Sequence, residues 1–232
     1  MHDAQTDRPG PDTDRSPRIA AFALGPFQTN CYIVHEPDSH AAWIVDAGFD
    51  PAELIDFVRS QSLRPEALIL THAHADHIAG VDTVLEACPN LPIHIHPAER
   101  EWLTDPHANL SAGMGVPVVC RSIRHTEVRD LNDADTLTLA GQPWRIAHTP
   151  GHSPGSISLI NEPARIAIVG DALFNGSIGR TDFPHSDFDT LANSIRDKLY
   201  TLPPDTRVLP GHGPATTIDR ERKTNPFVPA VD

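Results

Sequence analysis

Within the ten residues THAHADHIAG, positions 71–80, the chain places His72, His74, Asp76 and His77. Four polar groups packed that closely are costly to bury unless something pairs with them. A metal ion is the natural partner, because imidazole nitrogen and carboxylate oxygen both bind divalent cations. Unliganded surface histidines are the bland alternative, and the HxHxDH spacing argues against them. Three further groups of the same kind stand apart: His152 in HTPGHSPGS, Asp171 in VGDALF and His212 in LPGHGP.

What links the seven is position. The run EALIL precedes His72, WRIAHT precedes His152, RIAIVG precedes Asp171 and TRVLP precedes His212. Each run reads as a strand. In α/β folds, sites gather beyond the carboxyl ends of strands. The pattern predicts that all seven residues converge. Seven N/O ligands are too many for one tetrahedral zinc. They suit two metals, with the Asp171 carboxylate able to bridge both. Such a pair positions a bridging hydroxide and clamps the oxygen that gains charge in hydrolysis. Asp76 and Asp171 are thus the candidate catalytic groups. With no cysteine in the set, zinc, iron and manganese all fit.

The elements that must position these groups follow from periodicity. Strands are expected at 18–24, 30–36, 41–48, 66–71, 91–97, 135–141, 143–149, 155–161, 164–170 and 205–210. PAELIDFVRSQS (51–62) reads as a helix with Pro at its first turn, and 78–88 and 97–105 as further helices. The segment 186–202 reads as a helix with Ser186 as N-cap. Residues 106–127, interrupted by Gly and Pro, are long enough for a functional loop. Residues 213–232 read as a mostly polar tail. The order gives one α/β domain with two sheets over 18–232, after a disordered acidic, Pro-rich tail at 1–17.

Composition narrows the function. The 232 residues carry 18 basic and 31 acidic side chains, a formal charge of −13. That argues against nucleic-acid and anionic-membrane partners. Cys31, Cys88 and Cys120 are odd in number and form no CxxC, so a reducing compartment is expected. With no signal-peptide pattern at the start, the expectation is cytoplasmic. Oligomeric state is not legible.

These motifs resemble the ordered metal motifs of the metallo-β-lactamase-fold hydrolases: THAHADH, HTPGHSPGS, VGDALF and LPGHGP, with VDAG (45–48) ahead of them. The resemblance covers about residues 19–227. It implies an αββα four-layer sandwich with the metals at the edge between the sheets. It implies that His72, His74 and His152 hold one metal, that Asp76, His77 and His212 hold the other, and that Asp171 bridges. Within that group the chain is most similar to the short single-domain glyoxalase II-like (hydroxyacylglutathione hydrolase) form, through LFNGSIGRTDFPHSD (173–187). That likeness implies a small-molecule thioester substrate, a hydroxyacyl (lactoyl) glutathione type, and two divalent ions with zinc placed first. It offers Arg180 as a substrate contact, and Arg220 and Lys223 through RERKTNPF (220–227). A mono-iron persulfide dioxygenase, which shares HxHxDH and GRTDF, is the alternative. A lactonase and a non-catalytic metal-binding module stand behind it.

The remaining polar residues have quieter readings. His185 is a candidate to line the pocket. His94 and His96 share one strand face and read as structural. His148 reads as a hydrogen-bonded neighbour of the site, and Asp46 as a support for a ligand. Arg180 and Asp182 can equally form an internal ion pair. Trp43, Trp102 and Trp144 read as core.

Overall fold

The computed structural model describes residues 16–139 and 141–230. The expected tail, 1–17, lies outside the described residues except for its last two positions.

The first sheet is built from β1 (Arg18–Leu24), β2 (Thr29–His35), β3 (Ala41–Val45), β4 (Arg64–Ile69), β5 (Ile93–Ile95) and β6 (Val128–Asp130), in that spatial order. The first three strands are antiparallel and the next three join in parallel. The second sheet holds β7 (Thr136–Leu139), β8 (Gln142–His148), β9 (Ile157–Asn161), β10 (Ile166–Gly170), β13 (Arg207–Pro210) and β14 (Thr216–Thr217). Its order is β14-β13-β10-β9-β8-β7, with β10 and β13 parallel. A small hairpin, β11 (Leu173–Phe174) with β12 (Ser177–Ile178), projects from it.

The inner strands β3, β9 and β10 read as continuous apolar runs because both faces are covered. Successive side chains point to opposite faces. In β2, Cys31 and Ile33 join helix α1 (Ala52–Ser60) and helix α3 (Val81–Ala87) in an outer core. Tyr32 and Val34 face the other sheet. In β10, Ile166 and Ile168 fill the space between the sheets, whereas Ala167 and Val169 pack with helix α4 (Phe188–Ser194). Alternation thus generates helix, sheet, sheet, helix: the αββα sandwich. Trp43 and Trp144 meet edge-on across the middle, 6.0 Å apart.

Several local expectations are corrected. The helix expected over 78–88 is divided into α2 (Ala75–Ile78) and α3 around Gly80, where a Cβ would collide with the carbonyl oxygen of Gly48. The cap of α4 is Asp187, which accepts from Thr190 N at 2.7 Å. Ser186 instead donates to the carbonyl of Phe183 at 2.7 Å. After α4 the chain continues as a π-turn over Ile195–Leu199. The segment expected as a polar tail contains α5 (Ile218–Thr224). Its anchor is polar and so left no apolar periodicity: buried Glu221 accepts from Thr216 Oγ1 at 2.6 Å and from Gly176 N at 2.9 Å. Residues 106–127 carry two 3-10 turns, Ser111–Met114 and Ser122–His125. Among the described residues no helix is long and apolar enough to cross a membrane.

Candidate metal centre

The seven residues do meet, at the edge where both sheets end. From the first sheet, β4 runs into Thr71 and His72, and the short helix α2 carries Asp76 and His77 with His74 just ahead of it. The second sheet delivers His152 after β8, Asp171 after β10 and His212 after β13. Three overlapping groups have ligand atoms within 4.8 Å of one another: His72, His74 and His152; His72, His77 and Asp171; Asp76, His77 and His212.

Backbone and side-chain acceptors orient the rings. His152 Nδ1 donates to the carbonyl of Arg180 at 2.9 Å, and His212 Nδ1 to that of Phe27 at 3.2 Å. His77 Nδ1 donates to Asp46 Oδ2 at 2.8 Å. A proton fixed on Nδ1 leaves the Nε2 lone pair for a metal. Asp46 is itself locked, accepting from Thr71 N at 2.7 Å and Thr71 Oγ1 at 2.8 Å. Asp46, the aspartate of VDAG, thus fixes the ring of one candidate ligand. Asp76 Oδ2 accepts from Thr29 Oγ1 at 2.9 Å and stands 3.1 Å from His212 Nε2.

Protonation follows from burial and neighbours. Burial, reinforced by the surrounding imidazoles, holds His72 well below the usual histidine range. Burial takes His74 down to about 3 and also lowers His152. For Asp76 and Asp171 burial alone would raise the pKa, but the neighbouring histidines, His77 first, outweigh it and hold both carboxyls low. His77 and His212 go up despite burial, because carboxylates surround them. His72, His74 and His152 are thus neutral beside ionised carboxylates, as a cation requires, whereas a cation at His77 and His212 would displace a proton from each.

The donor set fits metal ions on a second count. His72 Nε2, His77 Nε2 and Asp171 Oδ1 are buried without a hydrogen-bond partner. All three residues belong to one of the groups above. Buried polar atoms are nearly always satisfied, so three orphans aimed at one another mark a place for a cation.

Sequence reasoning missed two supports. Glu99, wholly buried on the 3-10 helix Pro97–Thr104, accepts from Ala73 N at 2.5 Å and Gly155 N at 2.6 Å. It ties the His72–His74 segment to the loop carrying His152. Burial pushes its carboxyl up, against hydrogen bonds from Ser153, Ala73 and Gly155. Thr29 is the other. Neither stands in a motif: Glu99 lies in PAEREW (97–102) beside Arg100 and Glu101, and nothing local sets it apart. Trp102 is also more than core, since it stacks on His74 at 6.0 Å.

A cavity of about 490 Å³ opens over the cluster, lined by Phe27, Leu110, Met114, Phe174, Arg180 and Phe183 along with the ligand side chains. Arg180 lines it and is also paired: its Nε and Nη2 each donate to Asp182 at 2.8 Å. His185 sits against Trp102, 5.9 Å away, and is not among the lining residues. Nor are Arg220 and Lys223 on α5, where Lys223 pairs with Asp219 at 2.8 Å. His96 and His148 stack on each other at 4.1 Å, and His148 Nε2 donates to the Pro154 carbonyl at 2.8 Å.

Comparison with known proteins agrees with this geometry. The family model of the Metallo-beta-lactamase superfamily matches residues 24–212. The probable metallo-hydrolase YqgX of Bacillus subtilis (strain 168) is 38% identical over 206 residues, spanning 88% of this chain and 94% of its own. The hydroxyacylglutathione hydrolase GloC of Haemophilus influenzae is 35% identical over 210 residues, spanning 90% and 97%. Among solved structures, the BLEG-1 B3 metallo-beta-lactamase has a TM-score of 0.83 at 39% identity, over 91% of this chain and 99% of that one. TTHA1623, solved in a di-iron-bound form, has a TM-score of 0.76 at 36% identity, over 88% and 97%.

Proposed function

The chain belongs to the metallo-beta-lactamase superfamily, and on that footing we propose that it is a two-metal thioester hydrolase, with a hydroxyacyl (lactoyl) glutathione-type thioester as its first candidate substrate. The observation that carries this reading is the pair of ligand groups, His72-His74-His152 and Asp76-His77-His212, facing one cavity with Asp171 between them. The relative named as a hydroxyacylglutathione hydrolase supports the thioester. A mono-iron dioxygenase would hold its metal with His72, His152 and Asp171 and leave the Asp76-His77-His212 group idle.

In this reading His72, His74 and His152 would hold one ion and Asp76, His77 and His212 the other, with Asp171 shared between them. Bound metal supplies a water of pKa about 7 and a Lewis acid for the carbonyl oxygen. Asp76, kept ionised by His77 and His212 and held by Thr29, would orient the attacking water. Phe27, Phe174 and Phe183 limit water at the acyl carbon. A thiolate leaves readily, so no general acid is needed. Zinc is proposed first and iron second, the latter because TTHA1623 holds two irons. A cytoplasmic place fits the three free cysteines. The chain's acidity favours small-molecule partners over nucleic acid or membrane.

The test loads the protein with two equivalents of zinc or, separately, iron, and follows loss of thioester absorbance from S-D-lactoylglutathione. Turnover is expected, and Asp171→Ala should lose metal and turnover together. Full metal content with an unchanged rate in that variant would sink the ligand assignment. Likeness to BLEG-1 gives a β-lactam such as nitrocefin as the second substrate. Its hydrolysis without thioester turnover would replace the reading, as would oxygen uptake with a persulfide.

A further inference from the structure

The walls of the cavity differ in chemistry. On one side Phe183 stands edge-on to His74 and His152, 5.5 and 6.1 Å away, and carries the Arg180 guanidinium 4.2 Å above its ring. On the other, Phe174 stands edge-on to His212 at 6.0 Å, and Phe27 is tied to His212 through its carbonyl. Arg180 is the only lysine or arginine among the lining residues. Asp182 takes the Nε and Nη2 of Arg180, so a thiol carrier that bears carboxylates meets the remaining Nη1 on the Phe183 side. The acyl group is then left with the Phe27–Phe174 side.

That side rewards apolar surface. Phe27 lies in the turn between β1 and β2, stacked on Phe49 at 6.0 Å and still 46% exposed. Such a ring is poised to be covered, and each apolar group that covers it leaves water. A lactoyl group is short and brings a hydroxyl, which costs free energy against two aromatic rings unless it finds a partner. The cavity, about 490 Å³, falls in the range of small-ligand sites and has room for a longer chain.

We propose that Phe27 and Phe174 form an acyl-binding wall, and that the site prefers thioesters with apolar acyl chains longer than lactoyl. The inference rests on the thioester reading and, within it, moves the preferred acyl group from lactoyl to a longer apolar chain.

The experiment uses the zinc-loaded full chain and a series on one carboxylate-bearing carrier: S-lactoyl-, S-acetyl-, S-butanoyl- and S-hexanoylglutathione. Each added methylene should raise kcat/KM about threefold to fourfold if it is fully buried. Phe27→Ser should lower the hexanoyl-to-lactoyl ratio about tenfold, the worth of one apolar side chain. Phe227→Ser, an equally exposed ring away from the cavity, should leave the ratio unchanged. Calorimetry should show hexanoate binding more tightly than lactate to wild type, with the difference lost in Phe27→Ser. A flat series, or a preference for lactoyl, overturns the acyl wall and leaves thioester hydrolysis standing. No turnover of any thioester in the series overturns both.

Discussion

At the scale of single residues, the site depends on groups that never touch a metal. Glu99 holds two backbone N–H groups, one from each ligand-bearing segment. In Glu99→Gln the amide NH2 would face one of those donors, and the two segments would shift apart. Partners of this kind cost about 10–100-fold in metal affinity when changed. Zinc affinity measured by chelator competition should fall by that order, with circular dichroism unchanged. An unaltered affinity would reduce Glu99 to a packing role. Protonation gives a second prediction. In the metal-free protein His74 titrates at about 3 instead of 6.5. The unfolded chain takes up that proton first, so the contribution of His74 to stability falls as pH drops from 6.5 towards 3. His212 moves the other way. An NMR titration should find the His74 ring neutral at pH 5 and the His212 ring protonated. The reverse order would contradict the charge arrangement of the site.

At the scale of elements, ligands lie at strand exits because a parallel or mixed sheet leaves its last side chains free to turn towards the neighbouring loops. The turn after β13 shows how tight this is. A Cβ on Gly211 would collide with Asp171 Oδ1 and stand 2.8 Å from His77 Cε1. Gly211→Ala should therefore fold, because the clash is confined to ligand tips, yet bind metal at well below two equivalents. Metal analysis beside a thermal melt checks both halves. Retention of two equivalents would show that the turn can yield. Caps and short helices illustrate what element-level reading lacks. Ser186 and Asp187 are both good N-caps; Asp187 accepts from Thr190 N, while the Ser186 hydroxyl is turned away to donate to the Phe183 carbonyl. Helix α5 was hidden because Glu221, a charged residue, is its buried anchor.

At the scale of the whole molecule, the seven groups join the two sheets. The first sheet brings His72, His74, Asp76 and His77, and the second brings His152, Asp171 and His212. Metal bound there would hold the halves of the sandwich together and would be bound only in the folded state. Zinc at about 100 times its Kd should add about 2.7 kcal/mol of stability by mass action. Removing metal with a chelator should lower Tm reversibly, and readdition should restore it. A melting temperature indifferent to chelation would mean that the cluster is preformed and metal-free in solution.

The sequence by itself determined the two-sheet α/β class, the runs that become strands, and the seven groups offered as ligands. Those signals are local: period, spacing and the placement of a histidine or aspartate just past an apolar run. Only the tertiary structure decided that Glu99 and Thr29 belong to the site, that Arg180 is paired with Asp182, and that Arg220 and Lys223 point elsewhere. It also decided which aromatic rings wall the cavity. Phe27, Phe174 and Phe183 are far apart or unremarked along the chain, and nothing in their spacing foretells contact. A ligand motif is read from neighbours in sequence, whereas a pocket wall and a buried brace are made by chain segments that meet only when the sheets pack.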